Sequence, residues 1–224
     1  MGSEPLMDKI AVALDMPGQV RISGKIIAKG VTYDAFMSGF VNQRVEWVNG
    51  VVIEMPSIDA RHDALVLFLR MLFVAYFERM PNGLTLGDPM IMRLIDVPSS
   101  RAPDILVLLD DRIDQLQQNE VVGPANLVIE IVSEGSVRTD YFEKRREYEL
   151  GGVPEYWILN HKKKEVMFLQ LNADGIYDEI LPEDGIYHSR ELSNFSLNIA
   201  LLWREKLPGF SEIGQLVSAM FPDS

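Results

Sequence analysis

Two uninterrupted apolar runs, residues 105–109 and 127–132, constrain this chain more than any other feature. A strand with one wet face alternates apolar and polar residues. A continuous run therefore predicts a central strand covered on both sides. Helical signals surround the runs. Thr32 offers an N-cap for a short helix to Phe40. Asp59 caps a long helix to Arg79, in which Leu65, Leu69, Leu72 and Tyr76 share one face. Leu67, Phe68, Met71 and Val74 make its other side apolar too, which predicts packing on most sides. A second helix is expected over 139–150, stopped by Gly151-Gly152 and Pro154.

The strand signals are equally ordered. Asn49-Gly50 joins apolar runs at 44–48 and 51–55 into a hairpin. Short runs at 84–86 and 90–94 read as strands. Runs at 156–159, 166–171 and 176–180 read as a meander, with 172–175 as its last turn. The tail, 192–221, is expected to hold one strand and one or two short helices. Helices and strands interleave, with a parallel strand pair expected around the second helix. This predicts one α/β (α+β) domain over 31–224, with 185–224 as its tail. Residues 1–30, broken by Met16-Pro17-Gly18, read as an N-terminal arm.

Composition removes several chemistries. The chain has no cysteine, so disulfides, thiolate metal sites and cysteine catalysis are excluded, and a cytoplasmic location is expected. The net charge of −12 argues against broad, sequence-independent coating of DNA. Residues 1–5 show no basic targeting segment. The most apolar segment, 64–77, contains Arg70 and is shorter than the roughly 20 apolar residues of a bilayer span, so no membrane association is expected. His62, His161 and His188 lack HExxH spacing, and no phosphate-binding glycine loop or GxSxG elbow occurs.

Two carboxylates remain as candidates. Asp104 follows Pro103 at the mouth of the first apolar run, and Glu130 sits inside the second. A carboxylate within a buried strand needs a cation, a metal ion or its own proton. Paired carboxylates on neighbouring strands suit Mg²⁺ or Mn²⁺; a structural salt bridge is the plainer alternative. Lys144 lies four residues after Asp140 and could reach the pair. Equally, Asp140 and Glu143 fit a helix cap, and Lys144 fits a solvated pair with Asp140 or Glu147. His62 and Glu46 are weaker candidates, a capping histidine and a surface strand glutamate on the plain view. Lys162-Lys163-Lys164 reads as a solvated turn able to touch a phosphate backbone.

Taken in order, EWVNG (46–50), His62, APDILV (102–107), LVIEIVS (127–133), DYFEKRREY (140–148) and GVPEYWIL (152–159) resemble the PD-(D/E)XK, restriction-endonuclease-like nucleases. More narrowly they resemble a bacterial family of endonuclease-like proteins known mainly as a domain of unknown function. The resemblance spans 31–180 and implies a mixed sheet flanked by helices. It implies metal-dependent hydrolysis of phosphodiester bonds in nucleic acid, DNA foremost, with Mg²⁺ or Mn²⁺. Asp104, Glu130 and the backbone carbonyl of Ile131 would hold the metal. Lys144 would position the water, Asp140 would orient Lys144, and Glu46 and His62 would assist. The superfamily places a lysine two residues after the glutamate, where this chain has Val132; Lys144 on the next helix takes that role in the resemblance. A non-catalytic binding or assembly module of the same fold is the alternative. A homodimer through Leu201, Leu202, Trp203, Phe210 and Phe221 is a further reading.

Overall fold

The computed structural model describes residues 22–40 and 43–222. Among these, two six-stranded sheets dominate. The first runs β1 (Lys25–Lys29), β3 (Val51–Glu54), β2 (Val45–Val48), β6 (Ser99–Arg101), β5 (Ile91–Leu94) and β8 (Glu120–Val122). The second runs β12 (Tyr177–Glu179), β11 (Glu165–Leu171), β10 (Glu155–Asn160), β9 (Leu127–Ile131), β7 (Ile105–Leu109) and β4 (Gly83–Leu86). β13 (Ile186–His188) and β14 (Ser196–Asn198) form a separate ribbon. Helix α1 is Tyr33–Gly39, α2 is Ala60–Arg79, α3 is Arg145–Gly151 and α4 is Phe210–Ala219.

The second sheet explains the two apolar runs. Ile105, Val107, Leu127, Ile129 and Ile131 face α2, α4 and the C-terminal segment. Leu106, Leu108, Val128 and Val132 face the opposite way, toward β5, β8 and Tyr148 of α3. Both faces are covered, as continuous apolarity requires. The alternation of side chains puts Glu130 on the second face. β9 and β10 pair in parallel through α3, and β10, β11 and β12 form the expected antiparallel meander.

Local signals act as the sequence suggests. Thr32 accepts from the Ala35 amide at 3.3 Å, and Asp59 accepts from the Arg61 and His62 amides. Asn49 (φ 46°) and Gly50 (φ 82°) make the hairpin turn, a left-handed pair that favours Asn-Gly. Gly152 (φ 77°) ends α3.

Other expectations need correction. Residues 25–29 are an edge strand on β3, not part of an arm; residues 1–21 lie outside the described residues. Leu67 and Val74 are 58% and 53% exposed, so α2 is packed on one broad face only. The second helix begins with a π-helical turn, Thr139–Lys144, without a side-chain cap. Asp140 and Glu143 therefore make no capping box. Glu143 instead accepts from the Ser23 amide at 3.0 Å.

Candidate active site

The register of β7 against β9 pairs Ile105 with Ile129, which brings Asp104 beside Glu130. Asp104 Oδ2 accepts from the Ile131 amide at 2.7 Å and meets His62 Nε2 at 3.1 Å. Both contacts use Oδ2, and among the described residues Oδ1 takes no hydrogen bond. His62 starts α2, and its ring is almost fully buried. Burial pulls its pKa down, but Asp104 and the Ile131 carbonyl outweigh that and raise it.

Glu130 is reached from α3 and from the π-helical turn that leads into it. Lys144 Nζ is 2.8 Å from Glu130 Oε2, 3.3 Å from Asp140 Oδ1 and 3.5 Å from Glu46 Oε1. The Asp140 contact is an ion pair without hydrogen-bond geometry. The Tyr148 hydroxyl donates to Glu130 Oε1 at 2.9 Å. Glu46, on β2, is not a surface residue: it accepts from Arg101 at 2.8 Å and from the Ala102 amide at 3.2 Å. The structure therefore gathers all six side chains singled out above, Glu46, His62, Asp104, Glu130, Asp140 and Lys144, along one cleft of about 830 Å³, with Ile131 in its lining.

Two residues were not singled out from sequence. Arg101 is 1% exposed and binds Glu147 through Nε (2.8 Å) and Nη2 (2.6 Å) as well as Glu46. Glu147 also accepts from Ser99 at 2.5 Å. The signal for Arg101 was its place beside the Pro103-Asp104 motif. For Glu147 it was the i+3 spacing from Lys144, which puts both on one helix face.

The electrostatics are unbalanced. Lys144 and Arg101 face Glu46, Glu130, Asp140, Glu147 and Asp104. Burial lowers the affinity of Lys144 for its proton, but Glu130, Glu46 and Asp140 hold its pKa well above the ordinary value, so it stays charged. Burial would raise Glu46, yet Lys144 and Arg101 keep it a carboxylate. Burial pushes Glu130 well above the carboxylate range; Lys144 works against this, while Asp140, Asp104 and Glu46 add to it. Asp140 is raised for the same reason. The site thus holds more carboxyl groups than its own cations can keep ionised, and a proton or a bound cation relieves the crowding.

Among the described residues, no three His, Asp or Glu side chains converge as a preformed metal cage. The chemistry of the donors nevertheless suits a hard divalent cation. Asp104 Oδ1 takes no hydrogen bond among the described residues, the Ile131 carbonyl lies at the site, and carboxyl groups outnumber cations around Glu130.

A mixed sheet flanked by helices, with a carboxylate–lysine cleft between its layers, defines a restriction-endonuclease-like protein. A solved structure supports the fold: a "putative nuclease belonging to DUF820" from Anabaena variabilis superposes with a TM-score of 0.65 at 17% identity. The match covers 77% of this chain and 97% of that one. The chain belongs to the Uma2 family, described as "Putative restriction endonuclease", whose model matches residues 41–200. No curated protein matches. Restriction-endonuclease-like nucleases generally use divalent metals. No described helix is long and apolar enough to cross a membrane.

Proposed function

We propose that this protein is a nuclease that hydrolyses phosphodiester bonds in DNA with Mg²⁺ or Mn²⁺. The observation that carries the reading is the meeting of Asp104, Glu130 and Lys144, from three separate elements, on the floor of one cleft. Asp104, Glu130 and the Ile131 carbonyl would hold the ion. When bound, it supplies Lewis acidity to a phosphate oxygen and acidifies a water. The chain's own residues do the rest. Asp104 is oriented by His62 and the Ile131 amide. Lys144 keeps a full positive charge beside the reacting phosphate, where it orients the attacking water and offsets developing charge. Asp140 and Glu46 hold the ammonium on the Glu130 side of the cleft. Lys25 and Arg44, which line the same cleft, supply its nearest phosphate contacts.

Mn²⁺ titration of the wild type beside an Asp104→Ala/Glu130→Ala double variant tests the metal. One site present only in the wild type is expected. Cleavage of plasmid and oligonucleotide DNA tests the reaction: Glu130→Ala and Lys144→Ala are each expected to lower the rate by about 10²-fold or more. Full cleavage by either variant refutes the mechanism. Metal binding without cleavage of any nucleic acid would favour the binding-module alternative.

A further inference from the structure

We propose that Arg101 is a positioning residue: its guanidinium clamps α3 to the first sheet and thereby holds the Lys144 ammonium on Glu130. The inference rests on the nuclease reading for its consequence, although not for its geometry.

Arg101 ends β6, whose neighbour β2 carries Glu46. Its Nη1 takes Glu46 at 2.8 Å, while Nε and Nη2 grip both oxygens of Glu147 at 2.8 and 2.6 Å. The planar fork of a guanidinium can engage two carboxylates at fixed angles; an ammonium cannot. Glu147 sits one helical turn after Lys144 and also takes the Ser99 hydroxyl from β6. The clamp therefore ties the helix that carries Lys144 to the sheet that carries Glu46.

The same clamp fixes Glu46 from two sides. Oε2 goes to Arg101, and Oε1 goes to the Ala102 amide and to Lys144. Without Arg101, Glu46 and Glu147 would stand as buried carboxylates with no guanidinium between them. Buried like charges at that density repel or take up protons. Either response loosens α3 and lets Lys144 leave Glu130. Arg101 does not touch the Asp104–His62 pair, so its effect on the site runs through Lys144 and Glu46.

Trace acetylation of the full chain with acetic anhydride, read at Lys144 by mass spectrometry, tests the idea without any substrate. Arg101→Lys, which keeps the charge and loses the fork, is expected to raise the Lys144 labelling rate about tenfold. Glu147→Gln opens the clamp from its other end and is expected to do the same, which covers the case in which Arg101→Lys does not fold. Val217→Ala, a buried truncation on α4, controls for general loss of stability and is expected to leave Lys144 protected. Unchanged labelling in the clamp variants, or equal labelling in the control, overturns the proposal. Where the wild type cleaves DNA, adding Arg101→Lys to Lys144→Ala should cost no further rate, since both act through one ammonium. Independent, multiplying losses overturn it. A wild type that cuts nothing refutes the nuclease reading but leaves the labelling result to decide on Arg101.

Discussion

Glu155 shows how this interior tolerates a carboxylate without a cation. It is fully buried, and Trp157 Nε1, the Tyr187 hydroxyl, the Ser189 hydroxyl and the amides of Arg190 and Glu191 all donate to it. Burial still wins, so its pKa lies above the ordinary 4.5. A raised carboxyl in the folded state contributes stability at low pH that is lost as pH rises from 4.5 through the folded value. Glu155→Gln turns one acceptor into a donor facing donors, which costs about 2–4 kcal/mol in urea melts. The gap between the two proteins should narrow as pH rises over that window; a widening gap would contradict the assignment. Glu130 meets burial differently, with Lys144 on one oxygen and Tyr148 on the other. Tyr148→Phe removes one hydroxyl from an intact core and should weaken Mn²⁺ binding about tenfold by calorimetry, the loss typical of an outer-shell partner. Glu130 was legible as a carboxylate inside the apolar run LVIEIV, and Asp104 as its partner at a strand mouth, whereas Lys144, Asp140, Glu46 and His62 sat in ordinary places and gained their roles from the ordered resemblance. Arg101 was not legible, because the short polar stretch Ser99-Ser100-Arg101 carries no strand signal, although all three are buried in β6.

Elements deliver these residues as sets. Lys144, Glu147 and Tyr148 stand at i, i+3 and i+4, so one helix face presents a cation, a clamp carboxylate and a hydroxyl to the cleft. Their spacing was visible in the sequence, but the face they occupy was not. The π-helical turn before α3 shifts the register at which Asp140 and Lys144 meet, and a 3.6-residue period cannot show that. The long helix and the hairpin were legible from Asp59 and Asn49-Gly50, because each cap or turn is a local interaction. β1 was missed because KIIAK is short, charged at both ends and paired on one side only. The segment after β4 carries its own constraint. A Cβ on Gly87 would lie 2.3 Å from the Asp104 backbone carbonyl, so any side chain there must move the residue before β7. Gly87→Ala should cost about 1–3 kcal/mol and displace Asp104 from His62 and Ile131. Calorimetry would then find Mn²⁺ affinity reduced in a folded protein, whereas wild-type affinity would show that the strand mouth yields without disturbing the site.

Across the whole molecule, the proposed substrate and the charge pull against each other. The cleft is proposed to take a phosphodiester, yet the chain carries a net charge of −12. The cations around the cleft are partly spent: Lys25 pairs with Glu54 at 2.8 Å, and Arg44 lies 3.8 Å from Asp88. Arg138 meets Glu143, and Lys162 in the adjoining cleft meets Asp59 at 2.7 Å. Binding a phosphate at any of them must displace a carboxylate, so few counterions are released for each contact made. Each phosphate neutralised on duplex DNA contributes about −0.9 to the slope of log K against log salt. With this rim we expect a slope of about −2 to −4, far shallower than for a protein with a basic groove. Fluorescence anisotropy of a labelled duplex, with Ca²⁺ in place of Mg²⁺ to prevent cleavage, would measure it between 50 and 200 mM NaCl. Glu54→Gln frees Lys25 and should tighten binding with a steeper slope. A wild-type slope beyond about −6 would mean that a basic surface outside this cleft carries the nucleic acid, and that the acidic rim does not set its affinity.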